Sequence, residues 1–306
     1  MKNTDPLVTI LLATFNGAAY LKEQLDSLIR QTYVSWELVV HDDGSTDGTL
    51  DILAEYSEME PRMMLLDDGV TGLGAVGNFI HLLNHVRGDL YMFCDQDDIW
   101  LENKVASMVN VIKGHHGPAL VYANAHFYKG GTVVKQNTTV MHPSSLRNTL
   151  FLNSGVQGCS TLVNAALVEL LRPFPETLAM HDHLFTMGAV SFGRIIYVDR
   201  VLMWYRQHDQ NVTGGQHVGW ASRLKSFFSR GKPVISRPHF IANEAFYRHY
   251  FEKFNPDDHR LFKKYFQYGY CKSRIKRIFI VLKHGFSLGD KKGVLFLKTL
   301  LRKPIN

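Results

Sequence analysis

The chain has 306 residues, 45% of them hydrophobic and 20% charged, with a formal net charge of +6. That is enough apolar material to bury a sizeable core, and it excludes a disordered or low-complexity protein. Three widely spaced cysteines, Cys94, Cys159 and Cys271, match neither a zinc-ligand spacing nor a disulfide framework and point to a reducing, cytoplasmic compartment.

The opening residues Met1–Pro6 lack the character of a signal peptide, and the apolar run behind them is too short and too β-branched for a transmembrane helix. Leu7–Ala13 reads as a buried strand, and Thr14-Phe15-Asn16-Gly17 as the turn after it. Tyr20–Gln31 follows with helical spacing, placing Leu21, Leu25, Leu28 and Ile29 on one face. Trp36–Val40 is a second strand. It runs into His41-Asp42-Asp43-Gly44-Ser45-Thr46-Asp47, with Ser45, Thr46 and Asp47 as candidate caps of a helix over Leu50–Tyr56. Met63–Leu66 reads as a third strand, Phe79–Val86 as a helical face, and Leu90–Cys94 as a fourth strand. Strands alternating with helices imply an α/β fold with a mostly parallel sheet and right-handed crossovers. Ligands of such sheets bind beyond the carboxyl ends of the strands. The polar segments after Ala13, Val40 and Cys94 all fall at that edge.

The last of these, Asp95-Gln96-Asp97-Asp98, gathers carboxylates at the end of an apolar strand. Such charge is costly to confine unless a cation offsets it, and hard oxygen donors suit Mg²⁺ or Mn²⁺ bound to substrate phosphates. A solvated acidic turn is the other reading of this cluster alone. Three polar loops converging on one crevice favour a site for nucleotide and metal. No Gly-x-Gly-x-x-Gly and no Gly-Lys-Ser/Thr is present, so neither a dinucleotide fingerprint nor a P-loop is supported. In such a crevice Asp43 is placed to accept hydrogen bonds from a base or ribose, Asp95 from ribose, and Asp97 and Asp98 to reach a metal.

Further on, Arg206 and His208 follow the apolar run Val201–Tyr205. Arg offers a charged fork to a diphosphate, and His a metal ligand or hydrogen-bond donor. The stretch through Gly214-Gly215 has the composition of a lid. A structural arginine paired with a core carboxylate is the alternative for Arg206. Gly158-Cys159-Ser160-Thr161 is assigned to the acceptor side.

Taken in order, Thr14-Phe15-Asn16, Asp42–Asp47 and Asp95–Asp98 resemble glycosyltransferase family 2, whose members are inverting, metal-dependent enzymes of the GT-A fold. The resemblance runs on through Met180-His181-Asp182-His183 and Trp204–Gly214, the latter like the Tyr-Arg-x-His-x-x-Asn-x-x-Gly ending of bacterial surface-polysaccharide transferases. It covers about the first two-thirds of the chain. It implies that Ala13, Thr14, Asn16 and Asp43 line the nucleotide site, that Asp95 contacts ribose, and that Asp97 ligates Mn²⁺ or Mg²⁺. His208 would be a further metal ligand, Arg206 a diphosphate or lid residue, and Asp182 the catalytic base. Gly77 stands where many members carry an arginine before Asn78, so no phosphate contact is assigned there. The implied reaction moves a hexose from a UDP- or dTDP-sugar to a lipid-linked saccharide in O-antigen or capsule assembly.

A base fits the chemistry. An acceptor hydroxyl is a poor nucleophile until its proton is removed, and inversion needs one carboxylate and no covalent intermediate. Two other classes are weighed. A nucleotidyltransferase needs a basic, Gly-rich first loop, which Thr14–Ala19 lacks. A non-catalytic carbohydrate-binding protein would have no need of both Asp97 and Asp182.

Charge is divided unevenly. Residues 1–219 carry 14 basic and 23 acidic residues, a net −9, whereas 220–306 carry 20 and 5, a net +15. The expectation is a catalytic domain over 1–219, with a nucleotide-sugar half 1–100 and an acceptor half 101–219, followed by a basic helical extension over 220–306. No nucleic-acid module is visible. Leu261–Phe266 and Arg274–Lys283 interleave basic and apolar residues as amphipathic helices do. Either they lie on an anionic membrane at the inner face of the cell membrane, or they pack their apolar faces on protein.

Overall fold

An unbroken apolar run can be a strand when both of its faces are covered. In the computed structural model, which describes residues 5–153, 156–208 and 231–305, β4 (Leu90–Asp95) fits that rule: five of its residues are buried and only Asp95 emerges. β1 (Val8–Thr14) and β2 (Trp36–Asp42) flank it in the same fashion. With β3 (Met63–Leu65) they form the parallel half of a nine-stranded sheet ordered β3-β2-β1-β4. β8 (Thr161–Asn164) joins β4 antiparallel and β6 (Ala119–Lys129) joins β8 antiparallel. β9 (Arg194–Arg206) and β5 (Ile99–Trp100) follow, and β7 (Thr132–Asn137) forms a hairpin on β6. The result is the expected α/β architecture of GT-A type, parallel where the nucleotide half was read and antiparallel beyond β4.

Four helices serve this sheet: α1 (Leu21–Ile29), α2 (Thr49–Met59), α3 (Gly74–His85) and α4 (Lys104–Ile112). On α1 the buried face is Leu21, Gln24, Leu25, Ser27 and Leu28, while Ile29 is 39% exposed. The expected apolar stripe is therefore rotated. Ser27 enters the core because it is satisfied there: its hydroxyl donates to the Gln24 carbonyl (2.7 Å) and accepts the Trp100 N–H (3.0 Å).

The chain forms two compact units that interleave in sequence. The first holds the sheet and comprises 1–139, 157–170 and 196–207. The second comprises 140–156, 171–195 and 208–306. The expected cut at 219/220 lies outside the described residues. Charge is a poor guide to this division; an aromatic core is a better one. Phe151, from α5 (Leu146–Thr149) and the turn after it, meets Tyr265 and Tyr268 edge-on at 5.2 and 4.8 Å, both from α9 (Pro256–Tyr270). Phe192, at the end of α7 (His181–Phe192), contacts Phe246 of α8 (Arg237–His249) and Phe254. Edge and offset contacts of this kind add to the burial itself. Segments 140–156 and 171–195 thus join the basic region because their aromatic residues are needed to complete its core.

Not all of the basic region is surface. Phe262 and Tyr265 are fully buried, so Leu261–Phe266 packs into the second unit. Arg277, 1% exposed on α10 (Arg274–His284), donates to the carbonyls of Arg302 and Lys303 beyond α11 (Val294–Leu301). Among the described residues no helix is long and apolar enough to cross a membrane.

α8 and α9 meet closely at Gly269, where a Cβ would lie 2.2 Å from Cε2 of Phe240. Phe240 is itself 4% exposed and cannot turn aside. Gly269→Ala is expected to destabilise the protein by about 1–3 kcal/mol through overpacking. A urea midpoint equal to that of wild type would show that this contact is not tight.

Candidate active site

Strand register brings the polar loops level. Ala13 of β1 pairs with His41 of β2 on one side and with Asp95 of β4 on the other, and Thr14 pairs with Asp42. Three strand ends therefore deliver Thr14, Asp42-Asp43 and Asp95 to one edge, as the sequence spacing implied.

The loops there are braced to one another. The Thr14 hydroxyl donates to Asp42 Oδ2 (2.7 Å), and Asp42 Oδ1 accepts the N–H groups of Gly44 and Ser45. Asn16 adopts φ +47°, the left-handed region that Asn tolerates better than most residues, and its Oδ1 accepts the Thr46 N–H (2.8 Å). Asn16 is thus a brace between the first two loops. Gln96, to which the sequence assigned no role, clamps the first loop at two points: Oε1 accepts the Phe15 N–H (2.8 Å) and Nε2 donates to the Phe15 carbonyl (2.9 Å). A Cβ on Gly17 would lie 2.3 Å from that Oε1, so glycine is required for the clamp to close.

Asp43 is buried and fully engaged. Its two carboxylate oxygens accept the N–H groups of Leu73 and Gly74, each at 2.7 Å, at the start of α3. Carboxylates are favoured at helix N-termini, where backbone donors lack partners. Asp43 holds the β2 end and the α3 entrance together.

The acidic crevice at β4 is more confined than a surface turn. Asp97 is 8% exposed and Asp98 fully buried. Desolvation first, and then the Asp97 charge, push the Asp95 carboxyl up to about 7. The same causes, with Asp95 added, hold Asp98 well above the usual carboxylate range. Asp98 Oδ1 accepts the Arg206 N–H (3.0 Å), while no hydrogen bond from the described residues reaches its buried Oδ2. Lys104 opens α4 on the same face as Met108 and is fully buried. Burial brings its amine down to about 8. Its Nζ donates to the Cys159 carbonyl (2.5 Å) and sits 3.3 Å from the centroid of the Trp100 ring. A lysine on an otherwise apolar helical face was the available signal for it, and the sequence reading passed over it. Gly158–Thr161 is buried beside β4, where Cys159 supports Lys104.

Arg206 ends β9 inside this cluster. Its Nε donates to the Asp97 carbonyl (2.7 Å) and its NH2 to the Glu23 carboxylate. The guanidinium lies 4.8 and 4.7 Å from the ring centroids of Tyr20 and Tyr128. The guanidinium is thus held by the Asp97 backbone and by Glu23, a carboxylate 59% exposed at its side chain and not a core one.

Among the described residues, two groups of three metal-type ligands have their ligand atoms within 4.8 Å of one another: Asp95 with Asp98 and Cys159, and His41 with Asp68 and His81. Neither includes Asp97 or His208. Burial, and then the Asp98 charge, raise the Cys159 thiol well above its ordinary range, so it stays protonated beside the carboxylates. The carboxylate oxygens and the orphaned Asp98 Oδ2 suit a hard divalent cation.

His208 follows β9 by two residues and opens the last segment of the second unit. Residues 209–215 of the proposed lid motif lie outside the described residues. Asp182 occupies the first turn of α7, after the extended Met180 cap position, and is half-buried. Its neighbours His181 and His183 are 3% and 4% exposed. Burial lowers both imidazoles to about 3, so they are neutral near pH 7 and are weak proton acceptors.

That burial has a pH signature. The unfolded histidines titrate near 6.5 and the folded ones near 3. Between these values the unfolded state binds more protons, so stability falls as pH drops, by at most about 1.4 kcal/mol per pH unit per histidine. His183→Gln is expected to flatten the loss of denaturation midpoint between about pH 6 and pH 4. Parallel curves for variant and wild type would refute the burial argument.

Comparisons with known proteins agree with this geometry. The fold and the carboxylate-lined edge define a GT-A glycosyltransferase class. Residues 9–171 match the profile of glycosyl transferase family 2, and the chain belongs to that family. It is 28% identical over 231 residues to the dTDP-rhamnosyl transferase RfbG of Shigella flexneri, covering 70% of this chain and 77% of that protein. It is 30% identical over 171 residues to the UDP-Glc:alpha-D-GlcNAc-diphosphoundecaprenol beta-1,3-glucosyltransferase WfgD of Escherichia coli, covering 56% of this chain and 64% of that protein. Among solved structures, S. aureus TarS 1–349 in complex with UDP superimposes with a TM-score of 0.55 at 17% identity, covering 96% of this chain and 88% of TarS 1–349. The mannosyltransferase PcManGT of Pyrobaculum calidifontis, in complex with GDP-Man and Mn²⁺, gives 0.52 at 20% identity, covering 74% of this chain and 62% of its own. The chain thus spans less than two-thirds of both WfgD and PcManGT.

Proposed function

We propose that this chain is an inverting hexosyltransferase, using a nucleotide-diphosphate sugar and acting on a lipid-linked saccharide during surface-polysaccharide assembly. The observation that carries this reading is the register that brings Thr14, Asp43 and Asp95 to one sheet edge beside the confined carboxylates. The kinds of substrate named for RfbG and WfgD support the donor and acceptor classes.

In this reading Ala13, Thr14 and the Asp43 corner receive base and ribose, and Asp95 the ribose. Asn16 keeps the first loop in place. Asp97 would hold Mn²⁺ or Mg²⁺, with His208 as a further candidate ligand. When bound, the ion supplies charge stabilisation for the leaving diphosphate. Arg206 fixes the Asp97 backbone, which orients the carboxylate. Asp182 accepts the proton of the acceptor hydroxyl as that oxygen attacks the anomeric carbon from the face opposite the nucleotide. The two adjacent imidazoles are neutral and are poor rivals for that proton.

Paired variants separate the two roles. Asp97→Ala is expected to abolish the Mn²⁺ dependence of nucleoside-diphosphate binding while the protein stays folded. Asp182→Asn is expected to keep that binding and to lose ~10²–10⁴-fold in transfer. Unchanged metal dependence in the first, or near wild-type transfer in the second, refutes the corresponding assignment.

The second proposal of the sequence reading, peripheral attachment to the inner face of the cell membrane, gains support from α10. Ile275, Phe279 and Leu282 recur at i, i+4 and i+7 and are 81%, 61% and 62% exposed. Lys272, Arg274, Lys276 and Lys283 are exposed around them. An apolar stripe rimmed by basic residues suits an anionic interface. Because α9 belongs to a core, point substitutions are preferable to truncation. Ile275→Ser with Phe279→Ser and Leu282→Ser is expected to abolish salt-sensitive co-sedimentation with anionic liposomes. Binding that is absent in wild type, or equal for neutral lipid, refutes the attachment.

A further inference from the structure

A second constellation lies apart from the β4 carboxylates. Asp68 sits in the segment 66–73 that joins β3 to α3. Three imidazole Nε2 atoms converge on its carboxylate: His81 at 2.7 Å, His41 at 3.5 Å and His85 at 3.9 Å. His81 and His85 are one turn apart on α3, and His41 lies on β2 immediately before Asp42-Asp43. His41 is 2% exposed.

The far nitrogens of two of these rings determine what the near ones present. Asn78 Nδ2 donates to the His41 carbonyl (3.1 Å), which turns its Oδ1 toward His41 Nδ1 at 2.9 Å. That oxygen can only accept, so the network assigns the His41 proton to Nδ1. His85 Nδ1 lies 2.9 Å from the His81 carbonyl, which likewise only accepts. In the neutral form of either ring Nε2 therefore carries a lone pair, and that lone pair faces the Asp68 carboxylate. Acceptors facing acceptors repel one another unless a positive charge lies between them. Metal-ligating histidines are built in this way, with the outer nitrogen donating to a carbonyl or amide and the inner one left bare.

The donor set is three imidazole nitrogens and one carboxylate oxygen, which suits zinc. With bonds of about 2.0–2.1 Å, ligand atoms of a tetrahedral zinc site lie roughly 3.3 Å apart. Ligand atoms of His41, Asp68 and His81 lie within 4.8 Å of one another, and His85 Nε2, 3.9 Å from Asp68 Oδ2, has to move closer to complete the set. His81 alone has to change tautomer, since its Nε2 now donates to Asp68.

We propose that His41, Asp68, His81 and His85 form a zinc-binding site, distinct from the catalytic metal position, that fastens the segment before α3 to β2. The same segment leads to the Leu73 and Gly74 N–H groups that Asp43 holds. Occupancy therefore rigidifies the corner of the crevice where Asp43 sits.

The test uses the full-length protein stripped with chelator and kept in excess Mg²⁺, which prefers all-oxygen sites. Co²⁺ serves as the spectroscopic probe. One equivalent is expected to give the intense visible bands of four-coordinate cobalt, to be displaced by Zn²⁺, and to raise the melting temperature by mass action. His81→Gln and His85→Gln are each expected to weaken binding about tenfold or more, and Asp97→Ala to leave it unchanged. His85 is 43% exposed at its side chain, so that variant does not threaten the fold. Absence of stoichiometric four-coordinate cobalt overturns the proposal, as does unchanged affinity in either histidine variant. In those cases protonated imidazoles balance Asp68 instead.

Discussion

Confinement of negative charge at the end of β4 is the constraint around which the sheet unit is organised. Three carboxylates within four residues leave a strand whose other five members are buried. Water cannot screen them fully, and the Asp95 and Asp98 carboxyls are held up accordingly. The fold answers with cations and dipoles of its own. Lys104 approaches from α4, and Arg206 reaches in from β9, neutralised in turn by Glu23. The positive charge built into the cluster falls short of the negative charge available to it. A deficit of that kind, open at one strand end, is what a divalent cation can resolve.

The surrounding loops show how rigidly that opening is framed. Asn16, Gln96 and Asp43 each spend hydrogen bonds on backbone groups of a neighbouring segment, while Asp42 braces its own loop and accepts the Thr14 hydroxyl. Such residues define a binding edge without necessarily touching the ligand. A site held by mutual bracing is preorganised, so less of the binding energy is consumed in ordering the protein.

The central parallel strands β1, β2 and β4 were legible because they are buried on both faces and so appear as nearly uninterrupted apolar runs. The helix ends were less so: Thr49–Met59 and Gly74–His85 both begin earlier and α2 ends later than periodicity suggested, since tertiary packing extends a helix past its apolar stripe. Ile29 was placed on the wrong face because Gln24 and Ser27 look polar in sequence, and the bond that ties Ser27 to the sheet comes from Trp100, 73 residues along the chain. The same reason hid Gln96 and Lys104. Their roles depend on Phe15, Cys159 and Trp100, and no local pattern signals a contact across 81 or 55 residues. The charge asymmetry was read as a domain boundary, whereas the second unit is organised by aromatic residues drawn from three stretches.

That mode of assembly bears on biogenesis. Phe192, at the end of the helix α7 that carries Asp182, finds its aromatic partners in residues 246–254, more than fifty positions downstream. As the chain leaves the ribosome, β1 to β4 and their helices can settle early, because their contacts are largely between consecutive elements. The helix bearing Asp182 has to wait with its apolar surface uncovered until the downstream aromatics emerge. During synthesis the nucleotide half is therefore expected to take shape well before Asp182 is locked in place, and the interval between the two is when a nascent chain is most exposed to chaperones and to aggregation.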